Sequence, residues 1–219
     1  MHSSIKNYED IIRLIKSKLE GKTIIKFPKI IAVSKTFGLD NILPLVEYGH
    51  LDFGENKVQE AIDKWTETKI KYPQINLHLI GKLQSNKVKF AIKIFDYIHS
   101  VDSIKLAKKI SDEQIKQNKR VKIFIQVNIG SEEQKSGVEI HEIVELLNFC
   151  NKLNLDVIGL MCIPPLNQKS GEYFKKINSL NKSFNLQEIS MGMSSDYLEA
   201  IENDATYLRI GSSIFGNRY

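Results

Sequence analysis

The chain has 219 residues, 42% hydrophobic and 26% charged, with 12 Gly and 5 Pro, which excludes a disordered chain or a disulfide scaffold and leaves room for one sizeable core. The net charge is +5, but the lysines are spread along nearly every predicted helix among Glu and Asp. That pattern is a solvated surface with no dedicated nucleic-acid face, save for a local basic mouth toward an anion.

Residues 4–20 carry Ile5, Ile11, Ile12, Leu14, Ile15 and Leu19 at helical spacing, and Gly21 supplies a left-handed stop. After this leading helix, short apolar runs alternate with helical ones. Strands are expected at Lys29–Ser34, Leu51–Gly54, Leu77–Ile80, Tyr97–Ser100, Lys122–Asn128, Asp156–Cys162, Glu188–Met191 and Tyr207–Ile210. Helices are expected near 40–48, 56–70, 85–94, 103–118, 139–153, 170–184 and 195–203. Consecutive apolar positions, as in Ile123-Phe124-Ile125, suit strands covered on both faces. Eight βα units without a linker predict one domain over 1–219, a (β/α)₈ barrel with an extra N-terminal helix; an open doubly wound sheet is the alternative. Cys150 and Cys162 fall in no CxxC or Cys/His set and are expected to be buried free thiols of a cytoplasmic protein. The N-terminus has no apolar signal core, and no run of about 18 apolar residues offers a membrane span.

Functional groups of a parallel barrel stand where strands end. The first strand closes on Lys35. A lysine there either reaches the rim or, partly desolvated, presents a lone pair for carbonyl attack and Schiff-base formation. After the second strand, Asn56 either caps the next helix, with Gln59 as capping-box partner, or touches a ring substituent of a ligand. His78 in the third strand is expected to be a satisfied core histidine, and Lys82 and Lys87 either lend positive potential to the mouth or are solvated. Asp102 or Ser103 is expected to cap the helix after the fourth strand. The loop after the fifth is long and polar and suggests a lid, and Pro164-Pro165 after the sixth make a rigid turn. The last two units read Ser190-Met191-Gly192-Met193-Ser194-Ser195-Asp196 and Arg209-Ile210-Gly211-Ser212-Ser213. Small residues there leave main-chain N–H groups and Ser hydroxyls open to a phosphate, at the place where barrels often bind one. No His/Cys/carboxylate set has metal-ligand spacing.

Taken together, Ala32–Lys35, Phe53–Glu60, His78–Lys87, Ile98–Asp102, Gln126–Gly130, Gln134–Gly137, Gly159–Pro165, Ser190–Asp196 and Arg209–Gly216 resemble the pyridoxal phosphate homeostasis proteins, across essentially residues 27–218. The resemblance implies a fold like the barrel of alanine racemase, with pyridoxal 5′-phosphate (PLP) as cofactor, held as a Schiff base on Lys35. It implies phosphate contacts at Ser194, Gly211 and Ser212, with Met191 and Arg209 beside the cofactor and Asn56 in the binding set. It also implies a role in PLP homeostasis and supply without robust catalysis.

Two readings of the residues agree with a carrier. The sequence ends at Tyr219, directly after the eighth unit, so no second domain is expected to supply a base on the other cofactor face. At the ring nitrogen the nearby candidate is Arg209; an arginine donates there and leaves the ring a weak electron sink, where a carboxylate would hold it protonated. Lys135, in the fifth loop, either assists PLP entry by charge attraction or is a solvated lysine. The competing classes are a PLP-dependent racemase or lyase of narrow range, a cofactor-free Schiff-base aldolase for a phosphosugar, and a nucleic-acid binder. Expected partners are PLP and possible recipient apo-enzymes, with no nucleic acid, no membrane and a monomeric state.

Overall fold

The computed structural model describes residues 1–21, 27–132, 134, 136–166 and 168–216. Eight parallel strands close on themselves in sequence order: β1 (Lys29–Val33), β2 (Asp52–Glu55), β3 (Asn76–Leu79), β4 (Tyr97–Val101), β5 (Lys122–Val127), β6 (Asp156–Cys162), β7 (Glu188–Met193) and β8 (Tyr207–Ile210). The closing pair sets Ile31 of β1 against Arg209 of β8. The helices are α1 (Ser3–Leu19), α2 (Leu39–Glu47), α3 (Val58–Lys71), α4 (Val88–Ile94), α5 (Ile104–Gln117), α6 (Ile143–Lys152), α7 (Ser170–Ser183), α8 (Tyr197–Glu202) and α9 (Ser212–Phe215). The barrel expectation is thereby met and the open sheet is excluded.

Local chemistry sets the helix ends where expected in several places. Gly21 follows α1 with φ +76°, and the Ser103 hydroxyl accepts from the Leu106 N–H at the start of α5. α1 packs on α2, α8 and α9, and Asn7 Nδ2 donates to the Ile214 carbonyl at 3.0 Å, tying the leading helix to the last turn of the chain. α9 was not foreseen: four residues are too few for a helical period to show.

Two cores result from strand alternation. One lies between strands and helices and holds Phe53, Trp65, Leu77, Ile98, Ile125 and Met191. The other fills the barrel with Ile31, Val33, Tyr97, Phe124, Met161 and Tyr207. Each fully buried aliphatic or aromatic side chain contributes about 1.5–3 kcal/mol, so this double layer supports an interior that also carries buried polar groups. Cys150 and Cys162 are buried free thiols, as expected, and burial pushes them up to about 11 and about 12.

Candidate functional site

Ile31 and Val33 of β1 face the barrel interior, and Lys35 is two residues beyond Val33, at the strand's C-terminal exit. It is half-buried, and both of its neighbours are held. The Ser34 hydroxyl donates to Glu55 Oε1 at 2.7 Å, and the Ser34 carbonyl accepts from Lys64 Nζ at 2.9 Å. The Thr36 N–H donates to Glu60. Lys64, in turn, donates to Glu55 at 2.9 Å and to Glu60 at 3.1 Å. Thr36 has φ +69°, a left-handed conformation that costs a β-branched residue energy and persists only where the surroundings impose it. The hydrogen-bonded bracket from β2 and α3 supplies that constraint.

The exits of β7 and β8 lie beside β1. Ser194 Oγ accepts from the Gly211 N–H at 3.2 Å and from the Ser213 N–H at 3.3 Å. Two main-chain donors from the β8–α9 turn thus converge on a single oxygen, the arrangement an anionic oxygen requires. Gly211 passes close to β1: a Cβ there would meet the Val33 Cβ and carbonyl oxygen at 3.3 Å. Gly192, at φ +86°, lets β7 turn into this loop, and Asp196 accepts from the Met193 N–H at 2.6 Å to fix it. Lys35, Ser194, Gly211 and Ser213 therefore sit on three adjoining strand exits, and Ser212 is exposed at the start of α9.

Below this mouth lies a polar set that the sequence reading did not identify as such. Arg209 is 4% exposed. Its Nη1 donates to Ser190 Oγ at 2.7 Å and its Nη2 to the Cys162 carbonyl at 2.8 Å, so these donors are used inside the barrel and away from the β8–α9 turn. Ser190 meets His99 Nδ1 at 2.9 Å, His99 meets His78 at 3.0 Å, and His78 Nε2 meets Asp52 at 3.0 Å. His78 is thus a satisfied core histidine, as expected. The available signal was alternation: His78, His99, Ser190 and Arg209 occupy interior positions of their strands, where apolar side chains are the rule.

Burial pushes His50 down to about 4 and lowers His78 and His99 as well, the last reinforced by the His78 and Arg209 charges. The unfolded chain therefore binds more protons than the folded one once pH drops below about 6.5, the ordinary histidine value. Folding stability should therefore fall with acidification below that value, His50 alone contributing a slope of up to about 1.4 kcal/mol per pH unit and His78 and His99 adding in the same direction. Urea unfolding midpoints measured downward from neutrality would show it; a flat profile would contradict neutral burial of the three rings.

The capping alternative for Asn56 is excluded. Asn56 does not cap α3: Lys57 takes the N-cap position with φ −122° and ψ 129°, and the helix starts at Val58. Gln59 donates forward to Asp63 at 2.9 Å and so forms no capping box. Asn56 is instead pressed by its main chain against Gly81, where a Cβ would lie 2.4 Å from the Asn56 carbonyl oxygen. Met191 alternates outward from Ser190 and is fully buried in the helix-facing core, so its side chain is not offered at the mouth. Lys82 is exposed, and its charge acts on Asp102, whose carboxyl is nonetheless raised by burial. Lys135 lies outside the described residues. Among the described residues no His/Cys/Asp/Glu group could hold a metal ion, and no helix is long and apolar enough to cross a membrane.

The fold and the site define a barrel of the alanine racemase N-terminal domain class, and that family's model matches residues 7–218. The pyridoxal phosphate homeostasis proteins of Vibrio alginolyticus and Aquifex aeolicus are each 38% identical to the chain, over 202 and 200 residues, covering 87% of it and 86% and 87% of themselves. The structure of PipY from Synechococcus elongatus with PLP bound has a TM-score of 0.84 at 32% identity, covering 96% of this chain and 100% of that one. The chain belongs to the family of pyridoxal phosphate homeostasis proteins.

Proposed function

We propose that this chain is a PLP-binding protein of one barrel domain that tethers the cofactor covalently through Lys35 and serves intracellular PLP supply and homeostasis. The observation that carries the reading is the convergence, on the exits of β7, β8 and β1, of an oxygen cradle with a half-buried lysine. The residues fit the group: Gly211 and Ser213 offer two N–H donors to a phosphate, and Ser194 Oγ occupies the position an anionic oxygen would take. PLP supplies an aldehyde that a lysine amine can condense with, losing water.

The chain's own groups have separable tasks. The Glu55–Lys64–Glu60 bracket orients Lys35 by fixing Ser34 and Thr36. The β7 and β8 turns bind the phosphate end. Arg209, a donor that keeps its proton, faces the ring end; the binding of its Nη1 and Nη2 to Ser190 and Cys162 supports a place off the phosphate. An arginine there favours holding over carbanion chemistry. Asn56 and Ser212 complete the proposed binding set. Recipient apo-enzymes, a monomeric state and a cytoplasmic location belong to the same reading.

Charge at the cradle gives a direct check on the phosphate assignment. Ser194→Asp should fold normally, since a carboxylate also accepts from Gly211 and Ser213, yet weaken PLP binding by roughly tenfold or more through like-charge repulsion. Unchanged affinity would move the phosphate elsewhere. The carrier reading itself is tested by offering amino acids and a PLP-dependent apo-enzyme to the PLP-loaded protein. Activation of the apo-enzyme without sustained amino-acid turnover is expected; sustained turnover that disappears in Lys35→Ala would establish an enzyme instead.

A further inference from the structure

The hydrogen bonds below the mouth have a direction. A guanidinium only donates, so Ser190 Oγ accepts from Arg209 Nη1 at 2.7 Å. Two proton arrangements could continue the chain. In the first, the Ser190 hydroxyl donates to His99 Nδ1; the His99 proton is then on Nε2 and points to His78 Nδ1, and the His78 proton is on Nε2 and points to Asp52 Oδ1. Every contact is then one donor meeting one acceptor, at 2.9, 3.0 and 3.0 Å. In the second, His99 donates to Ser190 from Nδ1 and accepts from His78, which turns a bare His78 Nε2 toward the Asp52 carboxylate at 3.0 Å. Two acceptors would face each other in a buried site, which costs about 1–3 kcal/mol or more. A charged His78 or a protonated Asp52 would relieve that clash, but His78 is fully buried, which disfavours its charged form, and the Asp52 carboxyl is held below the usual range, which disfavours its neutral one.

The rings are also held in place. His78 stacks on Tyr97 at 4.2 Å and 16°, and His99 stacks on Phe124 at 4.3 Å and 23°. At the far end Asp52, at the start of β2, receives Asn76 Nδ2 at 3.3 Å and lies 3.9 Å from Lys29 Nζ. Burial opposes ionisation of Asp52, but the His78 hydrogen bond and the Lys29 charge hold its carboxyl below the usual range. At the near end, among the described residues, no carboxylate is hydrogen-bonded to Arg209; its Nη1 and Nη2 partners are a hydroxyl and a carbonyl.

We infer that Ser190, His99, His78 and Asp52 form a one-way hydrogen-bonded column through the barrel that positions Arg209. Two neutral rings and a hydroxyl, with their dipoles aligned, join a buried cation to a carboxylate on a distant strand. Reversing the column would set a bare His78 Nε2 against the Asp52 carboxylate, so the neutral column has one favoured direction. Its functional meaning rests on the proposed place of Arg209 at the ring end of PLP: Ser190, His99, His78 and Asp52 are positioning residues that keep a fixed donor there.

The column itself is tested on the protein without PLP. Ring ¹⁵N shifts and long-range ¹H–¹⁵N correlations at neutral pH should show His78 and His99 both neutral and protonated on Nε2. An Nδ1-protonated ring or an imidazolium at either position would overturn the inference. Its link to the cofactor is tested by Ser190→Ala, Ser190→Thr and Asp52→Asn, each loaded with PLP. Ser190→Ala should weaken PLP binding roughly tenfold, the scale of one charge-assisted hydrogen bond, and shift the cofactor's visible absorption, with Ser190→Thr restoring both. Asp52→Asn keeps an acceptor for His78 but loses the charge, so it should preserve both tautomers and shift the absorption in the same direction. Wild-type spectrum and affinity in Ser190→Ala and Asp52→Asn would overturn the positioning role. Failure of wild type to bind PLP at all would fail the proposed function while leaving the tautomer result standing.

Discussion

Glu55→Ala is expected to cost about 3–5 kcal/mol of folding stability, the range for breaking a buried ion pair by removing one partner. Glu55 is fully buried, and its Oε1 accepts from the Ser34 hydroxyl at 2.7 Å and from Lys64 Nζ and Trp65 Nε1 at 2.9 Å each. Removing the carboxylate orphans the Trp65 N–H and leaves Lys64, whose side chain is 9% exposed, with Glu60 and the Ser34 carbonyl. Glu55→Gln isolates the charge from the shape. Its Oε1 still accepts three bonds, but an amide nitrogen enters the place of Oε2, which has no hydrogen-bond partner. It should therefore be milder, at about 1–3 kcal/mol. Chemical unfolding of the three proteins gives the order directly. If Glu55→Ala is as stable as wild type, the bracket on Lys35 is not a structural constraint. The same variants should slow covalent loading at Lys35, because Ser34 and Thr36 lose their shared anchor.

Lys35→Ala carries the largest functional effect. The residue is half-buried at the exit of β1, so truncating its side chain opens no sealed cavity in the core and the fold should survive. Covalent PLP binding should disappear altogether. Residual, reversible binding through the phosphate turn should remain, since Ser194, Gly211 and Ser213 are untouched. Loss of all PLP binding together with loss of the fold would show instead that Lys35 is a structural lysine.

The parts of this architecture written in local pattern were legible in the sequence. The eight strands follow from short apolar runs and their spacing, and Lys35 and the two Gly/Ser turns follow from what stands at strand exits. What escaped depends on contacts between distant segments. The Asp52–His78–His99–Ser190–Arg209 column draws one residue from each of five strands, and neither histidine announces its partner. Glu55 was visible within the Phe53–Glu60 stretch, yet its role depends on α3 folding back to bring Lys64 and Trp65 to the same oxygen. Asn56 misled because capping residues and ligand-touching residues share a chemistry; one residue of offset, with Lys57 at the cap, decides against the first. Met191 was named through the resemblance, and the direction of its side chain was legible only from alternation: Ser190 faces inward and Met191 faces the helices.

The most direct test of the covalent assignment is intact mass followed by peptide mapping, on PLP-loaded wild type and Lys35→Ala after borohydride reduction. One reduced PLP adduct per wild-type chain is expected, on the peptide containing Lys35, and none on Lys35→Ala. An adduct that persists in Lys35→Ala, or maps to another lysine in wild type, would contradict it.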